Sequence, residues 1–237
     1  MGRLYSQHFA RNRINMVGGR KFELIYHGEL AGLPNTKPLL AALVKGLVSS
    51  FSDSNVNIVN ATHIAKEKGI TISETHAHDS DKNQTYVNLI SLKSYPSNSS
   101  TKGAQIIEGY ASNRRLYISR LDRFNATFNP EGTLIILHNY DEPGKIGGVG
   151  TVLGSHGINI RFMQVAALGA EFRGDWTPMV DEALRTSRSQ DSLAESSEQQ
   201  LGDEALMILG IAGNVDKRVM EDLQQAEGVL DVSLVTL

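Results

Sequence analysis

The sequence lacks cysteine, long apolar runs and a marked excess of either charge. Without cysteine, the chain has no disulfide scaffold, thiolate zinc site, iron–sulfur cluster or cysteine nucleophile. The 26 acidic and 23 basic residues leave a net charge of -3, which gives no electrostatic case for binding nucleic acid or an anionic membrane. No segment approaches the roughly 20 apolar residues of a membrane span, and no signal peptide can be read at the amino terminus. We therefore expect a cytoplasmic protein with no nucleic-acid or membrane partner.

The chain is long enough for two modest domains, with 237 residues of which 41% are apolar. The first predicted domain covers residues 1–130 and opens with an alternating strand at Lys21–His27. An amphipathic helix at Thr36–Phe51 and a shorter helix at Asn60–Lys68 follow. Short strands are then predicted at Ile70–Glu74, Thr85–Lys93, Ala104–Gly109 and Arg115–Leu121. This order of elements predicts a mixed α+β domain.

The second predicted domain, residues 131–237, has a more regular pattern. Two strand–helix–strand units are separated by residues 168–203, which are polar and of low complexity. We predict that this segment is a disordered insertion in the hairpin between the second and third strands. The resulting βαββαβ order is that of a ferredoxin-like fold. The predicted elements are strands at Thr133–His138, Ile158–Ala167, Glu204–Ile211 and Val229–Leu237, a helix at Gly144–His156, and a second helix capped by Asn214.

The loop that begins at Asn139 is the best candidate for a binding site. A free amino acid carries an ammonium group, which needs acceptors, and a carboxylate, which needs N–H donors. Asp141 and the amide of Asn139 supply acceptors, while the helix that begins near Gly144 offers unpaired backbone amides at the positive end of its dipole. We expect Asn159, at the start of the next strand, to reach the same place. The alternative is that Asp141 only caps the helix and Asn159 only turns the chain.

Four glycines interrupt the helix that follows this loop, at positions 147, 148, 150 and 154. Each costs roughly 0.5–1 kcal/mol relative to alanine in a helix interior. We interpret this cost as a sign that the helix packs closely against a sheet or a partner subunit. A dinucleotide-binding turn is the weaker interpretation, because the glycines lie inside a helix and no acidic ribose partner follows at the required interval.

Long segments of the chain resemble two known regulatory domains. LHNYDEPGKIGGVGTVLGSHGINIRFMQV and EALMILGIAGNVDKRVMEDLQQAEGVLDVSLVTL resemble the two halves of an ACT domain, a small amino-acid-sensing module. HGELAGLPNTKPLLAALVKGL and VNIVNATHIAKEKGITISE resemble an allosteric substrate-binding domain. In this order, the two domains are similar to the carboxy-terminal regulatory region of the D-3-phosphoglycerate dehydrogenases.

The resemblance implies a regulatory module of L-serine biosynthesis that senses an amino acid, usually serine. It implies that Asn139, Asp141, Gly144 and Asn159 line an effector pocket between two ACT domains, and that the chain forms a homo-oligomer through the edges of their sheets. In this family NAD belongs to catalytic domains that this sequence does not contain, so we expect no cofactor in this chain and no activity without those domains as partners. The alternative is a stand-alone ACT-type protein that regulates another enzyme of amino-acid metabolism. Iron–sulfur L-serine dehydratases share both domains, but their cluster needs cysteines.

The polar segment from Glu74 to Asp81 admits three interpretations. His76 and His78, with Asp79 and Asp81, resemble a metal-ligand set, although a solvated hairpin loop is the simpler explanation and we assign no metal site. The family resemblance adds an anion site for a phosphorylated acid. In this chain its candidate residues are His76, Lys82, Arg114 and Arg115.

Overall fold

The computed structural model describes residues 1–11, 20–52, 55–77, 86–95, 104–168 and 204–237. The predicted insertion at 168–203 lies outside the described residues, apart from Leu168. The helices are α1 (Gly2–His8), α2 (Lys37–Val48), α3 (Ala61–Glu67), α4 (Lys145–Ser155) and α5 (Lys217–Gln225). The strands are β1 (Lys21–Gly28), β2 (Thr71–Ala77), β3 (Asn88–Tyr95), β4 (Gln105–Ser112), β5 (Arg115–Leu121), β6 (Phe124–Phe128), β7 (Thr133–Tyr140), β8 (Asn159–Ala167), β9 (Glu204–Ala212) and β10 (Val229–Thr236).

The first sheet is mixed and has the strand order β2-β1-β3-β4-β5-β6. Among the described strands, only β1 and β2 pair in parallel, because the chain crosses through α2 and α3 between them. The stripe predicted on the long helix packs toward the sheet, with Leu43 and Leu47 buried and Leu40 packed against the same core. Gly69 has a φ of 69°, which ends the second helix as the sequence predicts.

The second sheet is antiparallel and has the order β10-β7-β9-β8. Alternation along β7 divides its side chains between two cores. Ile135 and Leu137 face α4 and α5, where Val149 and Leu223 are buried. Leu134 and Ile136 belong to the core of the first sheet instead. The core of the first sheet therefore extends onto one face of the second sheet, while a separate core lies between the other face and helices α4 and α5.

The mixed α+β architecture predicted from the sequence is confirmed, and most elements lie within a few residues of their predicted bounds. The sequence prediction missed α1 and β6. The predicted cap at Asn214 is wrong: the cap of α5 is Asp216, whose carboxylate accepts a hydrogen bond from the Val219 amide at 3.0 Å. Among the described residues, no helix combines the length and apolar character needed to cross a bilayer.

The glycines of α4 do not press against the sheet, contrary to one of the two packing alternatives. A Cβ atom built at Gly147, Gly148, Gly150 or Gly154 would meet no described atom within 4 Å outside its own helical turn. The helix packs on the sheet through Val149 and Leu153 instead. Packing of the glycines against a partner subunit stays a prediction.

Candidate functional site

Asn139 lies near the end of β7 on the face that carries the two helices, as the alternation from Leu137 requires. The residue is 2% exposed. Its side-chain Nδ2 donates a hydrogen bond to the Tyr140 carbonyl at 2.7 Å, but its Oδ1 has no partner among the described residues. A buried acceptor without a donor costs roughly 1–3 kcal/mol, so a ligand donor that reached this atom would recover a substantial free energy.

The first turn of α4 supplies N–H donors beside this loop. Gly144 occupies the N-cap position with a φ of 90°, a conformation that favours glycine. Glycine has no side chain, so Gly144 cannot accept a hydrogen bond from the first amides of the helix. The amides of Ile146 and Gly147 therefore find no acceptor among the described residues. Asp141 is exposed and makes no described hydrogen bond to these amides, so the structure does not favour the simple capping role. An acidic acceptor and free donors thus occur in one loop.

Asn159 is not brought together with these residues within one chain. Asn139 pairs with Ala205 on β9, whereas Asn159 pairs with Ala212 at the other end of the same strand. Seven residues of extended strand separate the two positions, which amounts to roughly 24 Å. Moreover, β9 lies between β7 and β8, so the strand that follows α4 is not a direct neighbour of β7.

Lys145, the first residue of α4, was missed by the sequence prediction. Its Nζ lies 3.1 Å from a Glu142 carboxylate oxygen and 3.9 Å from one of Glu227, and its side chain is 14% exposed. The Lys145 side chain packs against the backbone of Gly228, in the turn before β10. A Cβ atom added at Gly228 would lie 2.5 Å from the Lys145 Cε. The spacing of Glu142 and Lys145 is a sequence signal for the first ion pair, but the contact with Glu227 depends on the tertiary fold.

The described residues of the predicted anion site, His76, Arg114 and Arg115, lie at one end of the first sheet but not in one cluster. His76 packs its ring 5.0 Å from that of Tyr26, and its Nδ1 is 3.1 Å from the Ala31 carbonyl oxygen. Arg114 and Arg115 are exposed at the turn between β4 and β5. Four strand spacings separate β2 from β5, roughly 19 Å.

The remaining polar residues of that prediction lie outside the described part of the chain. They are Lys82 of the anion site and His78, Asp79 and Asp81 of the metal alternative. Among the described residues, no group of three or more His, Asp or Glu side chains is arranged to hold a metal ion.

Comparison with known proteins relates both parts of the chain to one group of enzymes. Residues 1–114 match the family model of the D-3-phosphoglycerate dehydrogenase intervening domain. A D-3-phosphoglycerate dehydrogenase of Methanocaldococcus jannaschii is 30% identical over 92% of this chain and 34% of its own length. The chain is related to the D-3-phosphoglycerate dehydrogenases. The enzyme of Bacillus subtilis is 29% identical over 90% of this chain and 33% of its own length, and that of Synechocystis is 35% identical over 63% of this chain.

The match to D-3-phosphoglycerate dehydrogenases extends beyond the intervening domain. The alignments with the M. jannaschii and B. subtilis enzymes cover about nine-tenths of the chain and so include residues of the second sheet. The chain spans about a third of the length of these curated relatives. A role connected with D-3-phosphoglycerate dehydrogenase is therefore supported.

Proposed function

We propose that this chain is the regulatory, amino-acid-sensing portion of a D-3-phosphoglycerate dehydrogenase that acts in L-serine biosynthesis. The described elements follow the order β7-α4-β8-β9-α5-β10, with strands arranged β10-β7-β9-β8. This is the order expected for a ferredoxin-like ACT domain, and it supports the proposal. In this proposal the NAD-dependent oxidation of 3-phosphoglycerate takes place in domains other than those described, and this chain modulates it. A typical coupling between effector and active sites is roughly 1–3 kcal/mol.

The proposal depends on the Oδ1 of Asn139, which has no hydrogen-bond partner in the part of the chain that the structure describes, and on the start of α4, which has no side-chain cap there. A free amino acid is complementary to this arrangement. Its ammonium group would donate to Asn139 and pair with the exposed carboxylate of Asp141, while its carboxylate would accept from the amides of Ile146 and Gly147. L-serine is the effector we propose, in keeping with the biosynthetic role.

A second copy of the chain would bring its Asn159 to the same end of the combined sheet as Asn139. Among the described residues, no strand pairs with the outer edge of β8. If two copies joined their β8 strands in antiparallel fashion, Asn159 of one copy would lie opposite Ala167 of the other. Ala167 and Asn139 both pair with Ala205 of β9, so they lie at the same end of the sheet. The open space beside the α4 glycines, on the helix that precedes β8, leaves room for a neighbouring subunit. We therefore propose a homo-oligomer whose effector site lies between subunits.

Calorimetric titration with L-serine tests the proposal directly. We expect binding by the full chain and a weakening of roughly tenfold or more in Asn139→Ala, because the variant removes a hydrogen bond to a charged group. Asn125→Ala is the matched control, since Asn125 is an exposed asparagine on β6. The mixed-subunit site predicts that Asn159→Ala also weakens binding. No heat at millimolar serine would contradict the proposal.

Two further elements of the proposal are tested separately. Binding of another amino acid in place of serine, together with co-purification of an enzyme other than a dehydrogenase, would favour the stand-alone ACT-type regulator. A site for a phosphorylated acid near Arg114 and Arg115 stays a proposal, supported by the exposure of both guanidinium groups at one turn. Titration of the Arg115→Gln variant with 3-phosphoglycerate, compared with the unchanged chain, would test it.

A further inference from the structure

Two histidines meet where α1 contacts the second sheet. His138 lies on β7 next to Asn139, but its side chain faces the opposite side of the strand. The His8 ring of α1 stacks on it with a centroid distance of 5.6 Å and an interplanar angle of 6°. The centroid of the His138 ring also lies 5.6 Å from that of Phe124, with the two rings in a T-shaped arrangement. His8 Nδ1 lies 2.7 Å from the Ser233 Oγ of β10.

Charged groups surround this pair on most of the elements that pack against it, and they already pair with one another. Arg11, after α1, pairs with Asp231 of β10, the cross-strand neighbour of His138. Arg123, before β6, lies 2.7 Å from Glu204 of β9 and 3.7 Å from Asp122. The neighbouring residue of β8 in this core is the apolar Ala166. A protonated imidazole would therefore face two guanidinium groups, and each described carboxylate nearby already has a cationic partner.

The surroundings favour neutral rings. Burial lowers the pKa of His138 to about 4, and the nearby arginines act in the same direction while Asp231 opposes them. Burial also lowers the pKa of His8 well below its usual value, and the neighbouring His138 adds to the effect. When the contact opens and the rings reach water, they regain ordinary pKa values near 6.5. Between pH 6.5 and pH 4 the open form binds more protons than the closed form, so a falling pH favours the open form. The contact is therefore stable at neutral pH and weakens as the pH falls from 6.5 toward 4.

We propose that the stacked His8–His138 pair is a pH-sensitive joint that releases α1 from the second sheet when it is protonated. The joint is a discrete structural unit because α1 reaches β10 through a few side chains: His8 to Ser233, Arg11 to Asp231, and Gln7, whose Oε1 accepts from the Thr236 amide at 2.6 Å. Like charges on two stacked rings would open these contacts together. The joint does not depend on the proposed effector site.

Amide hydrogen exchange of the full chain, corrected for the intrinsic rate at each pH, tests the joint. For His138 alone, a pKa of 6.5 in the open form and of about 4 in the closed form imply a roughly 30-fold loss of protection in α1 between pH 7.5 and pH 5.0. Strand β1 is the internal reference and should keep its protection. Protection of α1 that does not change with pH, or an equal loss in α1 and β1, would overturn the proposal.

A charge-free ring provides the matched variant. His138→Phe keeps an aromatic ring beside Phe124 and should remove the part of the pH dependence that His138 contributes. The parts due to His8 and to the buried amino group of Met1, whose pKa burial lowers to about 6, should remain. His63→Gln is the control, since His63 is an exposed histidine on α3 that pairs with Glu67, and it should leave the pH dependence unchanged. If His138→Phe fails to fold, the imidazole ¹⁵N shifts of the unchanged chain decide the question: His138 must titrate well below 6.5, and titration near 6.5 in the closed form refutes the joint.

Discussion

The ion pair between Arg123 and Glu204 provides a sharp test of how the two parts of the molecule are held together. Arg123 lies between β5 and β6, and Glu204 begins β9, so the pair joins the two sheets. Their atoms lie 2.7 Å apart, and the side chains are only 11% and 9% exposed. Removing one partner of such a buried pair typically costs roughly 3–5 kcal/mol, because the other charge stays buried without compensation. We therefore expect Glu204→Gln to lower the free energy of unfolding by about that amount.

Arg123→Met should cost more than Glu204→Gln, since Arg123 also faces the partly buried carboxylate of Asp122 at 3.7 Å. Burial raises the pKa of Asp122, and both Arg123 and Arg120 oppose that shift. Loss of Arg123 therefore leaves Glu204 without its cation and Asp122 with Arg120 alone. The double variant should be less destabilised than the sum of the single variants, which the coupling in a double-mutant cycle measures.

Urea denaturation at pH 7.5 is the assay, with Glu221→Gln as the control. Glu221 pairs with Lys217 at 3.2 Å, but those side chains are 53% and 92% exposed, so its loss should cost less than about 0.5 kcal/mol. For a chain of this size, a loss of 3–5 kcal/mol corresponds to roughly 6–20 °C in melting temperature. If Glu204→Gln cost no more than Glu221→Gln, the pair would not hold the sheets together and the reasoning would be wrong.

Two further predictions compare pairs of positions within helices by the same denaturation assay. Asp216→Ala should lower the free energy of unfolding by roughly 1 kcal/mol because it removes the cap of α5, while Asn214→Ala should change it little. The reverse result would show that Asn214 caps the helix, as the sequence predicts. Gly46→Ala should lower the free energy of unfolding by roughly 1–3 kcal/mol, because its Cβ would lie 2.8 Å from the Arg3 backbone nitrogen. Gly147→Ala should raise it by roughly 0.5–1 kcal/mol, because its Cβ meets open space. Equal effects would contradict this account of the close approach of α1 to α2.

Sequence patterns located most elements because local physics determines them. Gly157 has a φ of 67° and directly follows the helix that the sequence predicts at Gly144–His156. Alternation of apolar residues identified β1 in the same way. The signal for β6 was also present, since Phe124, Ala126 and Phe128 alternate and are all buried, but a five-residue strand gives a weak pattern.

Other features depend on contacts that sequence patterns do not encode. Helix α1 has seven residues, too few to form a stable helix alone, and its position depends on the fit of Gly2 against the Leu43 carbonyl oxygen of α2. The separation of Asn159 from Asn139 depends on the strand order, in which β9 inserts between β7 and β8. Local patterns therefore predicted that Asn139 and the start of α4 lie in one loop. They could not predict that Asn159 lies at the other end of the sheet.

Strand β7 places the proposed effector residue and the proposed joint on adjacent positions. Because side chains alternate along a strand, Asn139 faces the helices while His138 faces α1, and the same backbone segment serves both. If a ligand at Asn139 bound the closed and open forms of the joint with different affinity, protonation of His138 would change ligand affinity by the same factor in return. If affinity were equal for both forms, pH would not affect it through the joint. Serine titrations at pH 7.5 and pH 5.5 in the His138→Phe variant and the unchanged chain therefore separate two independent sites from a coupled pair.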